Sequence, residues 1–600
     1  MDYLGIVNRA MVIHAPSFPA SQKTDIDQGI GVPYGEGTHE FINFLKLHGF
    51  NSVQLGPMGK LNRGDTAPYT SSVFAKNPLF IDAKALTTAE YGKILSDEEL
   101  EGNTYEALNS EKNYRRVDYK DAQETIDTLM SIAYNNFQTK LSKRNKDAQN
   151  LNKQFEAFKN ENSEWLEKYS VLDIIAQRHN TDFYPNWPKE DRELLAKVKK
   201  GDLAAKRTYN QIKKDNAAQI DKYQFTQFII DKQGKESVQK GNITYIGDLL
   251  VGTSSFDELV YQDVFLPDYK IGAEGGGPHG GPQLWGFALL NPDKLFNKDG
   301  SLGDAGKFLQ AKLRKAMSDT KNIRIDHVMG LVNPYIYKTA PMTTVKTADG
   351  GEYQAPKTSG YLVNMGIDKN NNFARILPEI VIPTMIEMGV DPNTVVWEDL
   401  GWDPTGAFYK VFKDKLDLHG ISGLLWTKGE DAKNNARDNW AYIGCHDNPP
   451  AQKIVKEDER VHGEWKHSWD TSYLAKYNNS RPISKQTAKA ELEKDDKKLV
   501  NAKFADLMSS TKNIQVSFMD FFGIDKPYNT PGTSGGDNWT LRLNPNFEDE
   551  YHKSLENNGY ALNMPEVLAS AIKAQGKVNI KTAELVDKLN HYADVLKEKE

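Results

Sequence analysis

The stretch DAGKFLQAKLRKAMSDTKNIRID, residues 304–326, carries the pattern that decides the fold. Its first part places apolar residues at helical intervals: Phe308, Leu309, Leu313, Ala316 and Met317. Its second part, KNIRID, is a short apolar strand that ends in the carboxylate of Asp326. A helix followed at once by such a strand is typical of an α/β fold with a parallel sheet.

The same unit recurs along the chain. Further helix-like or strand-like segments are THEFINFLKLHGF with NSVQLGP (38–57), DKYQFTQFIIDKQGK with NITYIGD (221–248), IEMGV with NTVVWED (386–399), FYKVFKDKLD with ISGLLW (408–426), and WAYIGCHD (440–447). Helices of about 10–15 residues that alternate with nearly continuous apolar strands predict a parallel sheet covered on both faces.

Acidic residues end four of these strands: Asp248, Asp326, Glu398 (followed by Asp399) and Asp447. In a (β/α)8 barrel the carboxyl ends of the strands form the catalytic rim. A doubly wound open sheet also gathers residues there, but GIGVPYGEG (29–37) lacks the dinucleotide-binding spacing, and no phosphate-binding loop motif occurs. We therefore predict an α/β fold, a single catalytic (β/α)8 TIM barrel over residues 1–600.

Three regions depart from the barrel rhythm. Residues 95–215 and 455–512 are charged and helical in pattern, and we expect both to be helical insertions beside the barrel. The glycine-rich run GAEGGGPHGGP (272–282) is compatible with a flexible linker or with a mobile loop over a site.

Composition excludes several classes of function. The 600 residues carry 75 Lys+Arg against 82 Asp+Glu, a net charge of −7, which argues against a nucleic-acid partner. No apolar stretch is long enough to cross a membrane, and the amino-terminal residues lack a signal-peptide pattern. The single cysteine, Cys445, fits a reducing compartment, and no metal-ligand spacing occurs. We expect a cytoplasmic protein with no metal and no cofactor.

Two of the strand-end carboxylates suggest chemistry on glycosidic bonds. A retaining mechanism needs one carboxylate as nucleophile and another as acid and then base. Arg324 lies two residues before Asp326, on the same strand face, and favours the ionised form of that carboxylate. Glu398 lies in VVWED, where apolar and aromatic neighbours raise a carboxyl pKa and suit it to be the acid.

The third carboxylate, Asp447, lies between His446 and Asn448, a dense set of groups for binding sugar hydroxyls. Each feature alone also has a structural interpretation: an ion pair, a helix cap or an ordinary polar loop. Recurrence at equivalent barrel positions favours the catalytic interpretation.

The motifs RIDH (324–327), WEDLG (397–401) and GCHDN (444–448) resemble the signatures of the 4-α-glucanotransferases known as amylomaltases or disproportionating enzymes, glycoside hydrolase family 77. The resemblance extends from HAPSFP (14–19), through the segment VQLGPMGKLNRGDTAPYTSS (53–72), to NTPGTSGGDNWTLRL (529–543). Motifs that keep their order over this length make the resemblance specific.

The resemblance implies roles for individual residues. Asp326 would be the nucleophile, Glu398 the acid/base, and Asp447 the group that binds and distorts the sugar at the cleavage point. Further substrate-binding residues implied are Tyr69, which stacks on the glucose ring, with Arg324, His327 and His446 in the same subsite, and Asp248, Asp268, Gln283 and Trp285 along the donor–acceptor cleft. Asn448, next to Asp447, is a further substrate-binding candidate.

The chain also departs from the family pattern. Met329 replaces an arginine, Cys445 a threonine and Ala67 a serine, and the usual WGNP reads WGFA at 285–288. The run at 272–282 is longer and richer in glycine than usual, and an insertion follows Asp326 around TTVKTADGGEYQAPKTSG (343–360). These departures concern acceptor binding, chain-length preference and the ratio of transfer to hydrolysis.

The main hypothesis is therefore transfer of α-1,4-glucan segments between maltooligosaccharides or glucans derived from starch or glycogen. The run at 272–282 would act as a lid that protects the intermediate from water. Two alternatives stay open: an α-amylase-like retaining hydrolase that uses the same carboxylates, and a non-catalytic glucan-binding protein.

Overall fold

The computed structural model describes residues 1–24, 26–104, 115–240, 243–276, 280–347, 350–425, 436–457, 469–478, 483–531, 533, 535–576 and 580–598. The strands of these residues, in chain order, are β1 (Asn8–Val12), β2 (Ser52–Gln54), β3 (Thr244–Leu249), β4 (Phe265–Gly276), β5 (Pro282–Leu290), β6 (Asn322–Ile325), β7 (Tyr335–Lys338), β8 (Met342–Lys346), β9 (Glu352–Pro356), β10 (Ser359–Tyr361), β11 (Val396–Trp397), β12 (Ile421–Gly423), β13 (Trp440–Tyr442) and β14 (Asn513–Ser517).

The α-helices of the same residues are α1 (Glu36–Leu47), α2 (Asp97–Glu101), α3 (Tyr119–Ser142), α4 (Lys146–Glu161), α5 (Leu166–His179), α6 (Lys189–Arg192), α7 (Leu194–Lys199), α8 (Leu203–Asp215), α9 (Ala217–Lys240), α10 (Ser255–Val260), α11 (Asp304–Met317), α12 (Leu362–Met365), α13 (Ile382–Glu387), α14 (Ala407–Tyr409), α15 (Ala451–Lys456), α16 (Thr471–Leu474), α17 (Lys485–Leu492), α18 (Asp496–Ser510), α19 (Phe518–Phe522), α20 (Phe547–Glu556), α21 (Met564–Ala574) and α22 (Ile580–Lys597). Turns of π-helix, Leu377–Val381 and Lys410–Lys415, adjoin α13 and α14.

Eight parallel strands form one nearly closed sheet in the order β11–β6–β3–β2–β1–β14–β13–β12. Apart from β11 and β12, each strand pairs with the next barrel strand along the chain, and β14 returns to pair with β1. Between β11 and β12, the two end strands of this sheet, the Asp399 carboxylate accepts a hydrogen bond from the Ile421 amide at 2.9 Å. The predicted (β/α)8 barrel is confirmed.

The barrel interior is filled in layers. One layer consists of Ala10, Ile246, Val396 and Trp440, which form a buried cluster of their own. These residues come from β1, β3, β11 and β13, the first, third, fifth and seventh barrel strands, and a layer built from alternate strands is typical of this fold. Each of these residues lies before the last residue of its strand, so the layer fills the barrel below the carboxyl ends of the strands.

The amphipathic helices cover the outside of the barrel as their sequence patterns predict. In α1 the side chains of Phe41, Phe44 and Leu45 are buried. The backbone after α1 turns at Gly49, whose φ of +88° is readily adopted by glycine. Helix α11 likewise buries Phe308, Leu309 and Leu313, and its chain leads directly into β6.

A second, antiparallel sheet of order β10–β7–β4–β5 lies outside the barrel succession and was not predicted. Residues 272–276 of the glycine-rich run belong to β4, and Pro282 begins β5, so the run forms the arms of a hairpin and the linker interpretation is wrong. The predicted lid includes residues 277–279, which lie outside the described residues. The insertion at 343–360 contains the hairpin β8–β9.

The two segments predicted as insertions are helical where they are described. Helices α2 to α8 occupy residues 95–215, and α16 to α18 lie within 455–512. The division of the chain into a barrel and inserted units stays a prediction. Among the described helices, none combines the length and apolar character needed to cross a membrane.

Candidate active site

The strand register brings an arginine and an aspartate together at the carboxyl rim of the barrel. Asp248 on β3 is the register partner of Arg324 on β6, so both side chains point to the same face of the sheet. Backbone hydrogen bonds continue past the strands: the Asp326 amide donates to Leu249 and the Glu398 amide donates to Ile325, each at 3.0 Å. These bonds fix where both acidic side chains leave the backbone.

The Arg324 guanidinium contacts three carboxylates. Nη1 donates to both oxygens of Asp248 at 2.6 and 2.8 Å. Nη2 donates to Glu398 Oε2 at 2.5 Å and lies 3.1 Å from Asp326 Oδ1. The Arg324 and Asp248 side chains are only 6% and 1% exposed, so this network is shielded from water. A buried cation therefore holds the acidic groups in one fixed arrangement.

Asp326 and Glu398 hydrogen-bond to each other, and their pKa values move in opposite directions. Burial raises the pKa of Glu398 to about 8, and the charge of Asp326 adds to this rise, although Arg324 opposes it. Burial also acts to raise the pKa of Asp326, but Arg324 and the bond with Glu398 hold it below its usual value. At neutral pH one carboxyl group is therefore ionised and its neighbour protonated.

Backbone amides also bind the two catalytic candidates. The Val251 amide donates to Asp326 Oδ2 at 3.4 Å, and the His327 amide donates to Glu398 Oε2 at 3.1 Å. His327 adopts a φ of +42°, an uncommon backbone conformation for a residue other than glycine. The peptide group that joins Asp326 to His327 thus points its N–H at Glu398.

Tyr69 closes one side of the site. Its hydroxyl donates to Asp248 Oδ2 at 3.2 Å, and its ring stacks on His446 with centroids 5.2 Å apart and an interplanar angle of 18°. Burial raises the pKa of the Asp248 carboxyl to about 6 in spite of Arg324. The tyrosine ring is therefore fixed at its edge by a carboxyl and at its face by a histidine.

The loop after β13 presents the third carboxylate to solvent. Asp447 accepts a hydrogen bond from Asn529 Nδ2 at 2.6 Å and lies 3.3 Å from His446 Nε2. Burial acts to raise the Asp447 pKa, but these two neighbours hold it well below its usual value. Asn448 lies in the same loop, where its side-chain oxygen is bonded by the Cys445 thiol. Asp447 is thus an ionised acceptor for hydroxyl groups.

Two residues of the second sheet reach the site. The Trp285 ring meets His327 edge to face, with centroids 4.9 Å apart. Its indole nitrogen donates to Gln283 Oε1 at 3.0 Å. Burial lowers the pKa of His327, so its imidazole is neutral. The second sheet therefore forms one wall beside the nucleophile candidate.

Asp268 is the one predicted site residue that the structure leaves apart from this cluster, as far as the described residues extend. Its side chain is exposed, and its backbone carbonyl accepts a hydrogen bond from the Thr339 amide at 3.0 Å.

Sequence reasoning missed two residues at the site. His14 is buried against His446 and Tyr528, with ring centroids 5.2 and 4.9 Å away. A side-chain carbon at Gly56 would lie 2.0 Å from its ring, so this close packing requires glycine. Asn529 binds Asp447. Both residues lie in motifs that resemble the family, HAPSFP and NTPG. The sequence therefore indicated these two segments but not the role of either residue.

Three of the residues that depart from the family pattern have defined surroundings in the structure. Met329 is buried, and its terminal methyl lies 2.7 Å from the position of a side-chain carbon at Gly401. Burial raises the pKa of the Cys445 thiol to about 12, so it stays protonated. The Ala67 amide donates to Asp65 at 3.0 Å, just before the turn that carries Tyr69. All predicted catalytic carboxylates are retained.

The arrangement defines a class of protein. A (β/α)8 barrel that carries a neighbouring pair of carboxyl groups, one ionised and one protonated, at its carboxyl rim is typical of retaining enzymes that act on glycosidic bonds. No group of three or more His, Cys, Asp or Glu side chains within the described part of the chain is arranged to hold a metal ion.

Residues 18–548 match the model of one family, the 4-alpha-glucanotransferases of glycoside hydrolase family 77, and the chain belongs to that family. It is 23% identical over 569 residues to the 4-alpha-glucanotransferase of Streptococcus pneumoniae, covering 91% of this chain and 94% of the relative. It is 24% identical over 436 residues to that of Clostridium butyricum, covering 70% and 77%.

Solved structures are similar in fold. The amylomaltase of Streptococcus agalactiae, determined in complex with acarbose, superposes with a TM-score of 0.64 at 17% identity, covering 98% of this chain and 99% of that one. The amylomaltase of Corynebacterium glutamicum gives a TM-score of 0.64 at 14% identity, covering 98% and 75%.

Proposed function

We propose that the protein is a 4-α-glucanotransferase that moves segments of α-1,4-glucan from one maltooligosaccharide to another by a retaining, two-step mechanism. The observation that carries this proposal is the contact between Asp326 and Glu398 beneath Arg324, with their pKa values shifted in opposite directions. Two interacting carboxyl groups held in different protonation states are what such a mechanism requires before substrate binds.

In the first step, the ionised Asp326 attacks the anomeric carbon of the donor sugar. The bond to the leaving glycosidic oxygen breaks, and Glu398 gives its proton to that oxygen. The products are a β-glycosyl ester on Asp326 and a shortened glucan with a free 4-hydroxyl. Arg324 binds both carboxyl groups, so it compensates the charge that moves from Asp326 to Glu398.

In the second step, the ionised Glu398 takes the proton from the 4-hydroxyl of an acceptor glucan. The acceptor oxygen attacks the anomeric carbon, and Asp326 leaves as a carboxylate. The new bond has the α configuration of the bond that was broken, because each step inverts the carbon once. Water in place of the acceptor would give hydrolysis.

The remaining site residues would bind the sugar at the cleavage point. Asp447 is ionised and 44% exposed, so it can accept hydrogen bonds from two ring hydroxyls without losing its contact with Asn529. The stacked Tyr69 and His446 offer a rigid aromatic surface to the same sugar. Trp285 and Gln283 would line the cleft from the second sheet.

The substrate class in this proposal is α-1,4-glucan, supported by the family and by the names of the relatives. The proposed location is the cytoplasm, which the single cysteine suits.

The test is incubation of the purified protein with maltotriose alone, with products separated by chain length over time. The proposal predicts glucose together with a ladder of maltooligosaccharides longer than the substrate, and none of these with Asp326→Asn. Glucose and maltose without longer products would mean a hydrolase. Binding of maltodextrins without any turnover would mean a non-catalytic glucan-binding protein.

A further inference from the structure

Trp402 is an exposed tryptophan that follows the acid/base candidate Glu398 by four residues. Its side chain is 72% exposed, and it is the one tryptophan among the strongly exposed large apolar residues of the described chain. Leu400, two residues earlier, is 41% exposed. Because a large aromatic side chain is normally buried in a protein of this size, a pair of exposed apolar residues needs a reason.

The backbone that carries Trp402 is fixed on both sides. Its carbonyl accepts a hydrogen bond from the Tyr361 hydroxyl at 2.6 Å. Gly401, with a φ of +121°, packs against the Met329 methyl. The Asp403 carboxylate accepts hydrogen bonds from the Phe408 amide at 2.7 Å and the Thr405 amide at 2.9 Å. The indole is therefore presented to solvent by a rigid loop.

The position of this loop points to the glucan cleft. Trp402 follows Glu398 by four residues, at most about 14 Å of extended chain. Tyr361, which holds the Trp402 carbonyl, lies at the end of β10 and its hydroxyl also interacts with Glu274 on β4. Trp402 thus lies where the barrel rim meets the second sheet, and that sheet contributes Trp285 beside His327.

We propose that Trp402, with Leu400, forms an outer glucan subsite in which a glucose unit remote from the cleaved bond stacks on the indole. The inference rests on the proposed function and extends it to the recognition of longer chains. The apolar face of a glucose ring matches a flat aromatic surface, while its hydroxyls stay in water at an exposed rim. The family motif at this point, WEDLG, ends at Gly401, so the resemblance assigns Trp402 no role.

The kinetic test compares maltoheptaose with maltotriose as the sole substrate. In Trp402→Ala we expect the KM for maltoheptaose to rise about tenfold, several times more than the KM for maltotriose, with kcat for maltoheptaose within about twofold. Trp402→Phe should recover most of the loss. Tyr592→Ala, a 59% exposed aromatic residue on α22, is the matched control and should change neither KM.

A binding test separates the subsite from the transfer reaction. Maltoheptaose is titrated into Asp326→Asn while tryptophan fluorescence is recorded, with and without Trp402→Ala. Loss of most of the signal and a weaker Kd in the double variant support the subsite even if the wild-type protein transfers nothing. Equal Kd values, or equal KM changes for both substrates, would overturn it. No maltoheptaose binding at all would overturn both proposals.

Discussion

Asp248 and Arg324 lie opposite each other on neighbouring barrel strands, and both Asp248 oxygens accept hydrogen bonds from the same guanidinium nitrogen at 2.6 and 2.8 Å. The second terminal nitrogen of Arg324, Nη2, is thereby directed at Glu398 and Asp326. Asp248 accordingly positions Arg324, whose charge acts to lower the pKa of both catalytic candidates, and Asp248 is not itself one of those candidates.

Replacing Asp248 tests this relationship. In Asp248→Asn the guanidinium loses the charged partner that holds Nη1 and can rotate, so we expect kcat/KM for maltotriose to fall by about 100-fold. The matched control is Asp27→Asn, which breaks another buried aspartate–arginine pair, 2.9 Å from Arg542, and should lower stability while leaving kcat/KM of the folded protein within about twofold. Equal activity losses in both variants would mean that Asp248 acts only through stability.

The pH dependence of the reaction tests the assignment of Glu398. Its pKa of about 8 means that the proton donor is lost as the pH rises through 8, while the lowered pKa of Asp326 keeps the nucleophile ionised well into the acid range. We expect kcat/KM for maltotriose to be constant around neutral pH and to fall tenfold per pH unit above about 8. An alkaline limb centred near pH 5 would contradict the raised pKa.

Lys312 is expected to act on the nucleophile from a distance. Its buried ammonium, whose pKa burial lowers to about 8, donates to the carbonyls of Leu250 and Gly252 at 2.7 and 2.9 Å. These carbonyls flank Val251, whose amide faces Asp326. In Lys312→Met we expect kcat to fall about tenfold with little change in KM. The acid limb of the pH profile should move to higher pH, because the Val251 amide is no longer held in place as a hydrogen-bond donor to Asp326.

Lys315→Met on the same helix is the control for that experiment. Lys315 pairs with Asp231 at 2.7 Å, whereas Lys312 binds the Leu250 and Gly252 carbonyls, so the loss of Lys315 should lower stability without moving the acid limb. An acid limb that stays in place in Lys312→Met would show that Lys312 supports only packing.

Asp520 provides a test of stability against pH. Its Oδ1 accepts a hydrogen bond from the Ala451 amide at 2.8 Å, its Oδ2 is buried without a partner, and burial raises its pKa to about 7. A folded-state pKa above the unfolded value means that the folded protein binds the extra proton, so stability falls as the pH rises from about 4 to 7.

Asp520→Asn keeps an acceptor for the Ala451 amide and removes this titration. The difference in unfolding free energy, variant minus wild type, should therefore grow by up to about 4 kcal/mol between pH 4 and pH 8. Urea denaturation of both proteins at the two pH values measures it. A difference that does not change with pH would mean that Asp520 ionises freely in the folded protein.

The barrel and its acidic rim could be predicted because both follow from local pattern. Each helix–strand unit can be recognised within about 25 residues of sequence, and the residue that ends a barrel strand must lie on the rim. The opposite pKa directions of Asp326 and Glu398 also followed from their neighbours in sequence. The sequence did not indicate that Arg324 lies closer to Glu398 than to Asp326, because that depends on the pairing of β6 with β11.

The second sheet could not be predicted because its pairings are distant in sequence. Strand β4 pairs with β7, so Lys270 meets Tyr337, and the glycines of β4 hide its strand pattern. For the same reason the sequence did not predict that His14 packs against His446 or that Asn529 binds Asp447, since His14 and Asn529 lie near opposite ends of the chain.

The most direct test of the central claim is to trap the glycosyl group on its nucleophile. Glu398→Gln is mixed with α-maltotriosyl fluoride, whose leaving group needs no proton, so the first step proceeds while the second lacks its base. The account predicts a protein heavier by one maltotriosyl unit, with the sugar mapped to the peptide that contains Asp326. An adduct on Asp447 or on any other residue would contradict it. So would a first-formed transfer product of β configuration from the wild-type protein.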